Sequence, residues 1–340
     1  MNLKRVLLIV IFVAGLAGCR NSDPTGPAVR PEGSGTFVVN EGGFGGGGNL
    51  SFYDPSDGSV SHDVVRAATP WLFPNDIVFL GGMMYVAVNG GDFIAVVDPN
   101  LDSVVAEVRF AGGTGPGLLA TALGRMYTAN YNGTVSAVDT AADSVVATSA
   151  RVVGFPGAIL ARNGRIFVSD VGSWPDTGAN VMVLDAQTLA VVDSVRPGGG
   201  MAGLVSAGGK IYAGAAVSRK IFRFDPVTLH IEDSVALGSQ PGDLATNGAS
   251  LLVLTSDAVL RIPLATFEPD TVPFASRTDG LYNYAMGYDA MTGELYVSTI
   301  TTGGGTGEVS VYNPLGQRIS PPFAAGTFPG AFGFFRPPSP

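Results

Sequence analysis

The chain of 340 residues holds two histidines and one cysteine, so a metal or acid–base centre would have to be built largely from carboxylates. Hydrolytic zinc wants clustered His, Cys or carboxylate ligands. His62 and His230 stand far apart, and neither belongs to an HExxH spacing. Each falls in a segment expected to form an outer strand, away from any loop where a base would sit beside a nucleophile in a Ser-His-Asp arrangement. The run Gly42-Gly43-Phe44-Gly45 to Gly48 lacks the Lys-Ser/Thr ending and the following helix of a phosphate cradle. It reads as a loop between strands, and Gly303-Gly304-Gly305 reads as its counterpart. Asp98, Asp102, Asp139 and Asp143 offer calcium the hard oxygen donors it prefers. They recur at one position of a repeat, however, where Asp folds a turn by accepting backbone amide hydrogen bonds. No catalytic residue, no metal ligand and no cofactor is expected.

Recognition chemistry is better supplied. One set of short polar segments carries Asn40 and Glu41, Asn89 and Asp92, Asn130, Tyr131 and Asn132, Asp170 and Trp174, and Arg219. A second set carries Trp71, Phe73, Asn75 and Asp76, then Asp243, Tyr282, Asn283 and Phe328. Aromatic rings give large, stiff apolar area, while Asn and Asp give directional hydrogen bonds, a mixture suited to a polar organic ligand or a partner protein.

The elements that must position these residues form an internal repeat. Its clearest copy opens at Pro74-Asn75-Asp76 and runs through Ile77-Val78-Phe79, a Gly81-Gly82 turn and Met84 to Val88. Phe93 to Val97, an Asp98-Pro99-Asn100 turn and Ser103 to Val108 complete it. Every run is β-branched or aromatic and is bounded by Gly, Pro, Asn or Asp, which makes four strands. The opening recurs at Pro116, Pro156, Met201, Pro241, Asn283 and Pro329, at intervals of 42, 40, 45, 40, 42 and 46 residues. Such a period is that of four-stranded propeller blades. The second strand repeats an apolar position at Tyr85, Tyr127, Phe167, Tyr212, Val253 and Tyr296, whereas blade six departs at its third turn, with Ile262-Pro263. Thr36 to Asn40 matches a second strand with no first strand before it, and Gly330 to Phe335 supplies that strand from the far end. The expected fold is therefore all-β, a seven-bladed β-propeller of antiparallel blades over 36–336, closed by pairing of its N- and C-terminal strands, with a tail at 337–340. Both loop sets then converge on one end of the ring, where recognition usually resides. Trp71 and Phe73, taken singly, also suit a packing role, capping the seams between blades.

The first residues read as a leader: Lys4-Arg5, an apolar run from Val6 to Ala14, and then Leu16-Ala17-Gly18-Cys19. That tetrad resembles the lipobox of bacterial lipoproteins, which implies cleavage of residues 1–18 and a lipid on Cys19. The apolar run is far short of the roughly 20 residues that span a bilayer. Residues 19–35, rich in Pro, Gly and Ser, read as a flexible tether. Cleavage would remove two cations and take the net charge from −9 to −11. So acidic a body argues against nucleic acid and against direct adhesion to anionic lipid. Arg20 stands where an Asp would hint at retention in the inner membrane, so the outer membrane is favoured.

Pro116-Gly117, Met126 to Asn130, Val135 to Asp139 and Ser144-Val145-Val146 resemble the strand phrases of the YncE-like propellers. Asn40-Glu41-Gly42-Gly43-Phe44 with Ser51 to Pro55 is similar to envelope lipoproteins within that group. The resemblance implies an envelope propeller, some of whose relatives hold cobalamin beside a TonB-dependent transporter, while others have no known role. The lipobox, the tether and a loop face without catalytic groups lead us to expect a monomeric, lipid-anchored, non-enzymatic body that binds a small organic ligand or an envelope protein. An interaction scaffold is the alternative, and a propeller enzyme such as a lactonase or dehydrogenase ranks below both.

Overall fold

The computed structural model of the chain describes residues 33–337 apart from 44–46, 66, 68–70, 174–175, 178–179, 278–280 and 302–304. The leader, Cys19, nearly all of the tether and Trp174 lie outside the described residues.

Seven antiparallel four-stranded sheets form the propeller, with a two-stranded hairpin, Gly172–Ser173 against Asp176–Thr177, added between the second and third strands of blade 4. In blades 2 to 7 the chain runs from the innermost strand outward. The inner strands are Pro74–Leu80, Pro116–Ala122, Pro156–Arg162, Met201–Ala207, Leu244–Thr246 and Tyr282–Asp289. Blade 1 is composite: its inner strand, Pro329–Phe335, comes from the C-terminal end and pairs with Gly35–Asn40 in the register Thr36 to Phe334 and Val38 to Phe332. The ring is thus closed by main-chain hydrogen bonding, as the orphan strand near Thr36 implied. Blade 6 has the shortest inner strand, three residues, and an outer strand of two, Ala275–Ser276. Its third strand, Ala258–Pro263, puts Pro263 at the place of Asp185 and Asp225, yet the turn keeps its position: the Phe267 N–H meets the Pro263 carbonyl as the Leu189 and Leu229 N–H groups meet those of Asp185 and Asp225.

Strand periodicity places successive side chains on opposite faces, and each face of a blade packs on a neighbour. Met84 joins Phe37 and Trp71 in the seam with blade 1, while Tyr85 joins Met126 and Val138 in the seam with blade 3. The repeated second-strand positions, Tyr85 through Tyr296, are all buried. Fully burying side chains of this size stabilises by about 1.5–3 kcal/mol each, so the ring is held by a small core in each seam, with a further cluster around Tyr284, Ala285 and Ile300, instead of by one core.

The recurrent aspartates fold turns. Asp98 accepts the Asn100 N–H, Asp139 those of Ala141 and Ala142, Asp185 those of Gln187 and Thr188, and Asp225 those of Val227 and Thr228. The histidines sit beside outer strands, not within them. His62 follows Val60–Ser61, with its Nδ1 3.0 Å from Ser51 Oγ, and exposed His230 precedes Ile231–Ala236.

Candidate functional site: the axial cavity

Inner strands of a propeller approach one another around an axis, which leaves little room at their first residues. A Cβ on Gly157 would lie 2.4 Å from the Met201 carbonyl oxygen, and one on Gly330 would lie 2.1 Å from Glu41 Oε1. This is the physical content of the Pro-Gly openings: the proline starts the strand and the glycine leaves room for what crowds it, the backbone of the next blade at Gly157 and the Glu41 side chain of its own blade at Gly330. The pairing slips at the same point in blades 2, 3, 4, 5 and 7, between Pro74 and Asp76 and between Pro116 and Leu118, for example. Such bulges re-aim side chains, here at the end of the ring where the inner strands begin.

A cavity of 390 Å³ opens there on the axis, with walls from every blade. Leu118, Ile159, Leu204, Leu244, Met286 and Phe332 give it an apolar wall. Tyr131 and Phe155, stacked with centroids 4.9 Å apart, form an aromatic corner. Glu41, Asp76 and Asp243 bring its acidic groups, and among the described residues neither Lys nor Arg lines it. Each carboxylate also ties neighbouring blades together. Asp76 Oδ2 accepts the Leu119 N–H, Asp243 Oδ2 accepts the Met286 N–H, and Glu41 Oε2 accepts the Tyr284 hydroxyl at 2.7 Å. Burial pushes the Tyr284 phenol well above the ordinary tyrosine range, and the Glu41 carboxylate beside it adds in the same direction.

Of the residues assigned to recognition from sequence, Glu41, Phe73, Asn75, Asp76, Asn89, Tyr131 and Asp243 line this cavity. Others stand apart from it. Asn40 and Asn130 are buried within blades 1 and 3, where their amides donate to Ser51 Oγ and Ser136 Oγ. Asp92 accepts the Gly113 and Gly115 amides, fixing the connector into the next blade, and Asp170 accepts those of Gly154 and Phe155, fixing the connector that enters its own blade. Asn132 caps its own turn through the Thr134 N–H, and Asn283 donates to the Thr255 and Ala258 carbonyls of blade 6. Arg219 reaches the Gly238 carbonyl, and Trp71 is enclosed in the seam between blades 1 and 2. Tyr282 is partly exposed at the start of its inner strand, and Phe328 packs on the Tyr284 ring at 5.6 Å. Phe73 and Phe328 occupy equivalent places: each holds a left-handed backbone, φ 51° and 54°, directly before an inner-strand proline. Sequence reasoning missed the apolar wall, although its signal was present in the residues that follow each Pro-Gly opening. Among the described residues no group of three His, Cys, Asp or Glu is placed to hold a metal ion.

Solved structures with the same fold serve different purposes. A quinoprotein alcohol dehydrogenase-like protein from Bacteroides thetaiotaomicron is 15% identical, with a TM-score of 0.68 over 88% of this chain and 78% of its own. The Cps50 (Swd1) β-propeller domain of Myceliophteria thermophila is 14% identical, with a TM-score of 0.60 over 73% of this chain and 85% of its own. Hydrazine synthase of Kuenenia stuttgartiensis is 16% identical, with a TM-score of 0.58 over 73% and 78%. Likeness at this level establishes the propeller alone, since one fold hosts many functions. No curated protein matches the chain. Residues 34–321 match the family described as a domain of unknown function, DUF5074, and the chain belongs to that family.

Proposed function

We propose that this propeller is a lipid-anchored, non-enzymatic binding protein of the bacterial envelope that takes a small polar organic ligand into its axial cavity. The observation that carries the reading is the meeting of seven recognition residues, Glu41 to Asp243, on one cavity. Its 390 Å³ falls within the roughly 300–1,000 Å³ of small-molecule sites, and its mixture of apolar wall and few polar groups is theirs as well. A corrinoid is too large to enter whole and would rest across the mouth. The anchor rests on Leu16-Ala17-Gly18-Cys19 and the tether behind it, and delivery to an outer-membrane transporter is the role that this placement suits.

Thermal unfolding of the purified chain against a panel of polar metabolites, cobamides included, tests the reading. A ligand at a hundred times its Kd adds about 2.7 kcal/mol of stability. That gain should vanish when Tyr131→Ala and Asn89→Ala are combined. Indifference to every small molecule would replace the ligand with a protein partner. For the anchor, Cys19→Ala should move the protein from the detergent phase to the aqueous phase, and unchanged partitioning would remove it.

One observation favours the scaffold reading. The outer strands of blades 2, 3 and 4 leave Val105, Val146 and Val192 about half exposed, on strand edges open to pairing. Capture of an envelope protein that Val105→Glu with Val146→Glu abolishes, without any small-molecule response, would establish it.

A further inference from the structure

We infer that the end of the ring opposite the axial cavity seats on a zwitterionic lipid bilayer, with its apolar turn tips in the interface and the cavity facing away. The inference rests on the lipid anchor proposed above and names the surface that the anchor brings to the membrane.

Strand direction fixes which end that is. Inner strands begin at the cavity, so the turns after first and third strands gather at the opposite end, the turn end. Gly35, the first residue of the N-terminal strand, pairs with Phe335, the last of the closing strand, and Thr36 faces Tyr53, where the third strand of blade 1 stops. The chain from Cys19 therefore joins the ring at the turn end. Gly35 lies sixteen residues after Cys19, a reach of about 55 Å at most. Bringing the cavity end to the bilayer would take up about 30 Å of it, out across two strands and along the edge of a blade. The turn end meets the bilayer without that detour.

Apolar side chains stand out at the same end. Among the described residues six large apolar side chains are 61 to 82% exposed. Five of them, Leu101, Leu123, Val227, Met291 and Leu315, occupy turns of this end in blades 2, 3, 5 and 7. The sixth, Val272, lies in the long loop between the third and fourth strands of blade 6. At the cavity end Leu72, Val217 and Tyr282 reach 51% at most. Single exposed apolar residues are ordinary, but five tips spread around one end suit a broad, flat partner better than a peptide in a groove. The backbone of the tips is already satisfied. The Val227, Met291 and Leu315 N–H groups donate to the side chains of Asp225, Asp289 and Asn313, and the Leu101 N–H donates to the Asp98 carbonyl. Burying a polar group is costly when it lacks a partner, so tips built this way enter an apolar layer without baring their amides. The net charge of −9 sets the kind of lipid, since an anionic surface repels such a chain and a zwitterionic one does not.

Thiol labelling of the lipidated full chain in phosphatidylcholine vesicles tests the inference, because acylation of Cys19 leaves an introduced cysteine as the only free thiol. A fluorophore on Leu123→Cys, Met291→Cys or Leu315→Cys should be quenched at least twofold by lipids brominated near the headgroup, where interfacial side chains lie. The same label on Val217→Cys at the cavity end, or on Val146→Cys of an outer strand, should keep its intensity. Unquenched turn labels, or equal quenching at Val217, would overturn the inference. Leu101→Glu, Met291→Glu and Leu315→Glu together, with the label on Leu123→Cys, should abolish the quenching while the protein stays in the detergent phase. Quenching that survived them would show that the tips do not seat the ring. Replacing half of the lipid with phosphatidylglycerol should weaken the quenching, and a stronger signal there would also overturn the inference. A chain found in the aqueous phase has no anchor, and the docking falls with it. A chain in the detergent phase with unquenched turn labels keeps its anchor and loses only the docking.

Discussion

The Tyr284 hydroxyl donates a 2.7 Å hydrogen bond to Glu41 Oε2, joining two residues 243 positions apart. Tyr284 belongs to the inner strand of blade 7, and Glu41 follows the strand that closes blade 1. The pair therefore spans the last seam of the ring, beside main-chain bonds from the Glu41 and Gly42 amides to the Phe328 and Thr327 carbonyls. Removing the donor with Tyr284→Phe should cost about 2 kcal/mol, the usual range for a buried hydrogen bond to a charged group, read from urea unfolding. An unchanged urea midpoint would show that the bond contributes nothing.

The same carboxylate explains why residue 330 is glycine, and separates it from residue 157. A Cβ at 330 meets only the far end of Glu41, whereas one at 157 meets a backbone carbonyl oxygen. Both Gly→Ala changes should destabilise, by about 1–3 kcal/mol of overpacking. In a Glu41→Ala background the penalty at Gly330 should largely disappear, while that at Gly157 should remain. Equal penalties in both backgrounds would contradict the contact.

Alkali should loosen the ring before acid chemistry touches it. Tyr284 and Tyr296 are both held above the ordinary tyrosine range, burial being the larger cause for each. A phenol with a folded pKa above its unfolded value of about 10 binds its proton more tightly when folded. Its contribution is complete below that pH and is lost as pH climbs through the folded value. Urea midpoints should therefore fall above about pH 10, and more gently in Tyr284→Phe and Tyr296→Phe. Parallel curves for wild type and both variants would refute the assignment.

The ring and its closure were legible because period-2 strands, turn residues and a spacing near 42 reinforce one another seven times. The face was legible more coarsely. Loop position told which end of the ring Asn40 and Asn130 occupy, but not which way a residue at a strand end turns its amide. Both turn inward, onto a serine of the third strand, Ser51 and Ser136. That Asn-and-Ser pairing recurs in the sequence and could have been read as an internal clasp. The cavity wall was hidden for another reason: Leu118, Ile159 and Leu204 look like ordinary core residues until a bulge turns the strand towards the axis.

The aspartate turns give an acid-side prediction. Asp225 accepts the Thr228 and Val227 amides at 2.9 and 2.8 Å and pairs with Lys210 Nζ at 3.1 Å. These contacts, the two backbone amides most of all, hold its carboxyl well below the usual carboxylate range. A depressed folded pKa contributes stability above the unfolded value of about 3.9, lost as pH falls through the folded one. Asp225→Asn should melt earlier than wild type at pH 6, and the gap should narrow below about pH 4. A constant gap across that range would mean that the charge is not what the turn uses.

Closure itself is the contact on which the ring most depends. Phe37, on the N-terminal strand, meets Phe335 of the C-terminal strand at 6.1 Å, Phe52 at 4.9 Å and Phe79 of blade 2 at 6.3 Å. One buried ring thus joins both ends of the chain to the neighbouring blade. Phe37→Ala should cost about 3–5 kcal/mol, as aromatic truncations in cores do. Because Phe335 shares that site, the double variant with Phe335→Ala should cost less than the sum by about 0.5–3 kcal/mol. Deleting residues 329–337 goes further. It strips blade 1 of its inner strand and bares the edge of Gly35–Asn40, so cooperative unfolding should give way to aggregation or gradual melting. A deletion variant that still unfolds in one sharp step at the wild-type midpoint would mean that the strand pairing is dispensable and that side-chain packing alone closes the ring.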